Sequence, residues 1–295
     1  MGEQRDTAAI LERTVPVRGL NVHVREAGAG TPLLLLHGFP QSSREWVGTV
    51  PHLAPLGRVI APDLRGSGRT DAPRGSYGPD ALSEDAVALL DALGIDRAVV
   101  VGHDIGALTA LSLAVRSPER VSRLVVLAVP PLYLRMTGSM LGSAKHLWFQ
   151  YALATPGLGP RLLSGGGQRL PRWLFSAFAG PAGGVQAVDV EDYLAALRDP
   201  DRAWAGSRVY RQLVLPLFLR IVLGRYRTRL PAMPTLVLLG EQDRILRRDA
   251  LAGVEKYAAD VRVEEVAAAG HFLVDEQPAE VARRIARFAG LTGAG

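Results

Sequence analysis

The stretch VVVGHDIGAL, Val99 to Leu108, decides how the chain is read. Three β-branched residues and a glycine suit a buried strand, and IGAL opens a helix. Asp104 stands between them at a sharp turn, with Gly102 and Gly106 two places away on either side. A strand that passes directly into a helix needs small neighbours there. The turn residue is held at positive φ, and the two elements come close together. A carboxylate at that tip is lifted above the sheet, over a helix N-terminus that favours negative charge. Taken alone, the same aspartate would also serve as a helix N-cap.

Working outward, TPLLLLHG (Thr31 to Gly38) is a continuous apolar run, as expected of a strand covered on both faces. GRVIAPDLRGSG (Gly57 to Gly68) reads as a strand ending in a glycine-rich loop, and Pro79 to Leu93 as a helix stopped by Gly94. Ile105 to Arg116 is the next helix and Val121 to Val129 the next strand. VRGLNVHVREAG (Val17 to Gly28) alternates polar and apolar residues, which predicts strand pairing at a half-solvated sheet edge.

After Pro130 and Pro131 the rhythm breaks. No buried strand is legible until PTLVLLGEQD (Pro234 to Asp243), and the segment between is rich in aromatic residues. VRVEEVAAAGHF then gives a last strand, and Pro278 to Phe288 a last helix with Pro at its start. The pattern predicts an α/β fold with a mostly parallel central sheet and helices on both faces. The core is expected in residues 1–130 and 231–295, with a helical lid over 131–230 inserted in it. Thr292 to Gly295 reads as a frayed tail.

Composition narrows the function classes. Apolar residues are 48% of the chain, enough for a large core, and the absence of cysteine excludes disulfides and thiolate chemistry. Met1 to Thr14 has no apolar leader, and no run reaches the roughly 18 apolar residues of a membrane span. LVLPLFLRIVLG (Leu213 to Gly224) comes nearest, but it is short and broken by Pro216 and Arg220. A cytoplasmic protein is therefore expected. The net charge is +5, and Arg202 to Arg229 holds seven arginines and no acid. Without a recognition motif this reads as a solvated lid face, not a nucleic-acid surface. No ligand cluster or phosphate loop appears, so no metal and no cofactor is expected.

In open α/β sheets, ligands bind beyond the carboxyl ends of the strands. Asp104 follows VVVGH, Asp243 follows TLVLLGEQ, and His271 follows the last strand. That order suits a nucleophile, an orienting acid and a base.

These pieces, with LLLLHGFPQSSREW and VIAPDLRGSGRTD, resemble the α/β-hydrolase fold, and within it the epoxide hydrolase and dehalogenase branch with an aspartate nucleophile. No GxSxG occurs, which disfavours a serine esterase. The resemblance implies an alkyl ester on Asp104, hydrolysed by water that His271 activates while Asp243 holds its imidazole. It implies an oxyanion hole from the backbone N–H groups of Phe39 and Ile105, and a cis bond before Pro40. His37 and Pro40 are placed at the substrate pocket, with His37 supporting the loop.

Tyr210, in GSRVYRQL, resembles the second lid tyrosine of epoxide hydrolases, a proton donor to the opened ring. The first lid tyrosine's usual place is Ala152. Tyr151 stands one residue away, about 100° round a helix, and is either the second donor or a packing residue. Dehalogenation is the runner-up. Ile105 and Phe39 stand where haloalkane dehalogenases carry side-chain donors, and Ile105 and Leu108 where fluoroacetate dehalogenases carry arginines. Trp148 is the one indole donor near the pocket, or else a packed lid residue. A ligand-binding member without catalysis is the third reading. The expected partners are a small hydrophobic substrate and water, with a homodimer allowed.

Overall fold

A computed structural model of the 295-residue chain describes residues 9–138, 142, 145–181, 183–226, 231–258 and 260–291. The strands are β1 (Leu11–Val17), β2 (Leu20–Ala27), β3 (Pro32–Leu36), β4 (Arg58–Pro62), β5 (Ala98–His103), β6 (Val121–Leu127), β7 (Thr235–Gly240) and β8 (Val261–Val266). They form one sheet in the order β1-β2-β4-β3-β5-β6-β7-β8. β1 and β2 are antiparallel to each other, β2 is antiparallel to β4, and every later pairing is parallel.

The apolar runs become the central strands because they are covered on both faces. Every residue of β5 and β7 is buried. Alternation then sorts the side chains. Val100, Leu34 and Leu36 enter the core shared with α2 (Pro79–Ala92) and α3 (Ile105–Arg116). Val99, Val101, Leu33 and Leu35 enter the core under α1 (Val50–Leu53), α10 (Leu273–Glu276) and α11 (Pro278–Ala289). Truncating any of these leucines to alanine would cost about 2–5 kcal/mol.

The strand pairing expected at the sheet edge is a hairpin: β1 pairs outside β2 through a turn at Arg18 (φ 50°) and Gly19 (φ 78°), so the outermost strand is β1 rather than the strand from Leu20. The strand Leu11–Val17 escapes pattern reading because only its last residues, Val15 and Val17, are buried.

Between β6 and β7 the described residues form helices and no strand. These are α4 (Trp148–Ala154), α5 (Leu158–Ser164), α6 (Arg169–Phe178), α7 (Ala187–Ala196), α8 (Pro200–Val209) and α9 (Leu215–Val222). One π-helical turn, Tyr210–Val214, joins α8 to α9. Phe149, Leu163, Leu174, Phe178 and Tyr210 share one apolar core with the α3 side of the sheet. Polar ties add direction: Arg44 Nε donates to Asp189 at 2.8 Å, and Tyr193 donates to Asp275 at 2.9 Å. Leu213 to Val222 is thus partly packed rather than a span, and no described helix is long and apolar enough to cross a membrane. The tail from Thr292, and the first eight residues of the Met1 to Thr14 stretch, lie outside the described residues.

Candidate active site

The carboxyl ends of β3, β5, β7 and β8 converge on one cavity. Asp104 has φ 48° and ψ −115°, a conformation a non-glycine residue adopts only under constraint. The two glycines of the motif supply that constraint. A Cβ on Gly106 would lie 2.1 Å from the Leu36 carbonyl oxygen, and one on Gly102 would lie 2.4 Å from that of Gly106. The Asp104 side chain makes no capping bond to α3, so the N-cap alternative fails. Its Oδ1 instead accepts from the backbone N–H of Phe39 at 3.0 Å. Its Oδ2 lies 3.6 Å from His271 Nε2, an ion-pair distance rather than a short hydrogen bond.

His271 Nδ1–H donates to Asp243 Oδ2 at 3.0 Å. Asp243 is itself held by the N–H of Ile245 at 2.7 Å on its other oxygen. That fixes the tautomer and aims Nε2 at Asp104. The histidine backbone is clamped as well. Its N–H donates to Phe178 O at 2.8 Å, and its carbonyl accepts from His103 Nε2 at 2.9 Å. Beside it, Gly180 and Gly270 both donate to Glu276 Oε2 at 2.8 Å, so the end of α6 crosses directly over the histidine loop.

Charge follows geometry. Burial opposes an ionised Asp104, but the His271 imidazolium, the His103 charge and the Phe39 N–H outweigh it and hold the carboxyl below its usual range. Burial likewise opposes a charged His271. Asp243 and then Asp104 reverse this and lift the imidazole to about 10. His103, fully buried, has Nδ1 3.2 Å from Glu45 and Nε2 on the His271 carbonyl. Two acceptors on one ring require two N–H groups, which matches its raised pKa. Tyr210 is pushed well above the ordinary phenol value by burial and by the Asp104 charge, and stays protonated.

The cavity wall is almost wholly apolar. Phe39, Leu108, Phe149, Phe178, Phe218 and Ile245 are representative, and Asp104, His271, Tyr210 and Gln150 carry the polar side chains. The ring of Tyr210 meets Phe39 edge to face at 5.2 Å. Tyr210 begins the π turn, a departure from α geometry of the kind that often accompanies functional positions.

Several expected residues do not reach this wall. Tyr151 is 65% exposed and Trp148 51% exposed, on the outer side of α4. The one-residue offset decides it: the helix turns both outward and presents Gln150, which sequence reasoning passed over, to the cavity. His37 is fully buried behind the wall, donating from Nδ1 to Gly38 O at 2.7 Å and accepting at Nε2 from Leu64 N–H at 2.9 Å. It supports the loop and is not a pocket residue. Pro40 follows the cis Phe39–Pro40 bond and is buried outside the cavity too. Ile105 opens α3, where the first amides have no intrahelical acceptor, and its side chain is buried away from the cavity.

Sequence reading also missed two supports. Glu45 pairs with His103. Asp63 accepts from Ser43 N–H at 2.7 Å and Arg69 N–H at 2.8 Å, tying the loops after β3 and β4 together. Glu45 lies in a single 3-10 turn, Ser43–Trp46, and Asp63 in the loop after β4; neither carries a periodic signal, and only their partners reveal them.

A mostly parallel sheet with a strained acid after β5, an acid after β7 and a histidine after β8 defines an α/β hydrolase. The chain belongs to the α/β-hydrolase fold family, whose model matches residues 31–278, and stands in its epoxide hydrolase-like branch. It is 31% identical to epoxide hydrolase 4 of Homo sapiens over 277 residues, covering 88% of this chain and 73% of that one. It is 45% identical to epoxide hydrolase 2 of Siraitia grosvenorii over 119 residues, which is 39% of this chain and 38% of that protein's length. A fluoroacetate dehalogenase of Burkholderia sp is 33% identical over 195 residues, 64% of each chain. Among solved structures, the epoxide hydrolase CorEH without ligand superposes with a TM-score of 0.80 at 26% identity, covering 96% of this chain and 100% of that one.

Proposed function

We propose that this chain hydrolyses epoxides to vicinal diols through an ester on Asp104, with the segment 131–230 acting as the lid of the site. The observation that carries the reading is the pairing of Asp104 with Tyr210 across an apolar cavity: an ionised carboxylate and a phenol that burial keeps protonated.

In the first step Oδ2 of Asp104 bonds to a ring carbon and the ring C–O bond breaks. The electron pair goes to the ring oxygen, which takes the Tyr210 proton. Forming the ester removes the negative charge on Asp104, and that loss lowers the basicity of His271. The imidazole sheds a proton to solvent and can then act as a base. Water attacks the ester carbonyl carbon as His271 takes its proton, with Asp243 stabilising the imidazolium. The oxyanion forms on Oδ1, where the Phe39 N–H already donates, with the Ile105 N–H as the second donor. Collapse breaks the Cγ–Oδ2 bond, the His271 imidazolium gives its proton to the departing alkoxide, and the diol leaves with Asp104 restored, while solvent reprotonates Tyr210. The lining suits a small, uncharged hydrophobic substrate.

The likeness to the fluoroacetate dehalogenase keeps carbon–halogen cleavage as a second reading. Against it, no arginine or lysine is among the described residues of the cavity wall, and Trp148, the indole once available to a halide, faces out.

The test is single turnover of an aryl epoxide in ¹⁸O water, followed by mass spectrometry of the Asp104 peptide. Label in Asp104 supports the ester. Diol formed with the aspartate unlabelled, or halide release from chloroalkanes without any epoxide turnover, would replace the proposal.

A further inference from the structure

The segment between β6 and β7 is charged unlike the rest of the chain. Residues 131–230 hold thirteen Lys and Arg against five acids, a formal +8, while the remaining residues carry a formal −3. All five acids lie within Asp189–Asp201, on α7 and at the head of α8. Each has an arginine partner: Arg44 for Asp189 and Asp192, Arg172 for Glu191, Arg202 for Asp199 and Arg74 for Asp201. α4 and α9 carry no acid. Among the described residues, Lys145, Arg220 and Arg225 have no carboxylate within ion-pair reach.

α4 and α9 pack against each other, and both present side chains to the cavity, Leu147 from the head of α4 and Phe218 and Ile221 from α9. Their outer sides are apolar as well. Trp148 and Tyr151 stand out from α4, and on α9 Leu219 is 57% and Leu223 60% exposed, four residues apart. The Trp148 ring meets that of Trp173 at 5.6 Å, which carries the patch on to α6. A helix that is apolar all round is normally enclosed, and a continuous exposed apolar patch marks a contact surface. Charge decides what covers this one. A second copy docked by the same face would set cation against cation. A nucleic acid would satisfy the cations and leave both leucines without an apolar partner. A bilayer with anionic headgroups satisfies both sets: indole and phenol rings settle at headgroup level, leucines enter the acyl boundary, and Lys and Arg meet the phosphates.

We propose that the outer face of α4 and α9 docks on an anionic phospholipid surface. Trp148, Tyr151, Leu219 and Leu223 enter it, and Lys145, Arg220 and Arg225 hold its phosphates. The protein lies on the bilayer and does not span it. The cavity stands one helix diameter, about 10 Å, behind the docked face. An uncharged apolar substrate concentrates in the acyl layer, so docking brings the site to its supply. The docking itself does not depend on the reaction at Asp104.

The experiment sediments the full chain with vesicles of phosphatidylcholine and phosphatidylserine in equal parts, and with phosphatidylcholine alone. We expect binding about tenfold or more tighter to the anionic vesicles, weakened by added salt. Two double variants, Leu219→Asp with Leu223→Asp and Arg220→Glu with Arg225→Glu, should each weaken it by about tenfold or more, with circular dichroism unchanged. Should a variant fold poorly, anionic vesicles with brominated acyl chains serve instead: they must quench the wild-type tryptophan fluorescence, and Trp148→Phe must reduce the quenching. Wild type left unbound by anionic vesicles, binding that survives both double variants, or no quenching would overturn the proposal. So would a dimer that the leucine pair dissolves, or a duplex DNA complex that only the arginine pair abolishes, when vesicles are not bound; the occupant would then be a second copy or a nucleic acid.

Discussion

The backbone N–H of Phe39 donates to Oδ1 of Asp104 at 3.0 Å, across 65 residues of sequence. This contact fixes the carboxylate plane and leaves Oδ2 toward His271 and the cavity. A main-chain donor cannot be removed by changing the Phe39 side chain, so the acid itself is where the arrangement is tested. Asp104→Asn keeps the shape and removes the charge. Diol formation from an aryl epoxide should fall by about 10³-fold or more, with the thermal midpoint preserved.

The two chemical steps should separate with pH. His271 stands at about 10 while Asp104 is ionised, so it is an imidazolium at neutral pH and cannot yet accept a proton. The ester removes that neighbour's charge, and the histidine's pKa must drop below about 10. Ester formation needs ionised Asp104, whose pKa is lowered, and protonated Tyr210, whose pKa is raised. It should stay flat across the neutral range. Ester hydrolysis needs neutral imidazole, so it should slow as pH falls and the ester should accumulate in acid. Rapid-quench mass spectrometry reads both, and hydrolysis accelerating toward acid would contradict the assigned base.

Tyr210→Phe and Tyr151→Phe should behave oppositely. The first removes the phenol in the cavity and is expected to slow ester formation by about 10²-fold. The second alters a side chain that is 65% exposed on the far side of α4 and should leave the rate alone. A large effect at Tyr151 would show that α4 rotates in the working enzyme.

Buried Asp275 should make stability depend on pH. Burial, with Glu45 nearby, raises it to about 8, although Tyr193 and Gln41 donate to it. A raised folded value means that the native state holds a proton that the unfolded chain releases near 4. The associated stability is fully present in acid and is lost as pH rises through about 8. Asp275→Asn has no proton to lose; its oxygen keeps the Tyr193 bond, and its amide N–H faces Gln41, whose Oε1 accepts once that side-chain amide turns over. The variant's thermal midpoint should exceed that of wild type above pH 8, with the difference vanishing near pH 4.

The crossing of α6 over the histidine loop is tight enough to fail by one methyl group. A Cβ on Gly270 would lie 2.3 Å from Gly180 N. Gly270→Ala should cost about 1–3 kcal/mol in denaturant unfolding. It should also slow ester hydrolysis more than ester formation, because it displaces His271 rather than Asp104.

Sequence alone determined the α/β alternation, the elbow and the order of Asp104, Asp243 and His271. Each follows from local physics: a buried strand must be apolar, and an elbow must be flanked by glycine. It also pointed to Tyr210 through its resemblance. The tertiary structure decided which face of α4 meets the cavity, and so exchanged Tyr151 and Trp148 for Gln150. Neighbouring helical residues differ by about 100° in direction, and only packing against the π turn fixes which one points inward. It alone also revealed β1 as the sheet edge and the buried partners Glu45 and His103, because an isolated acid in a loop announces nothing until its partner is beside it.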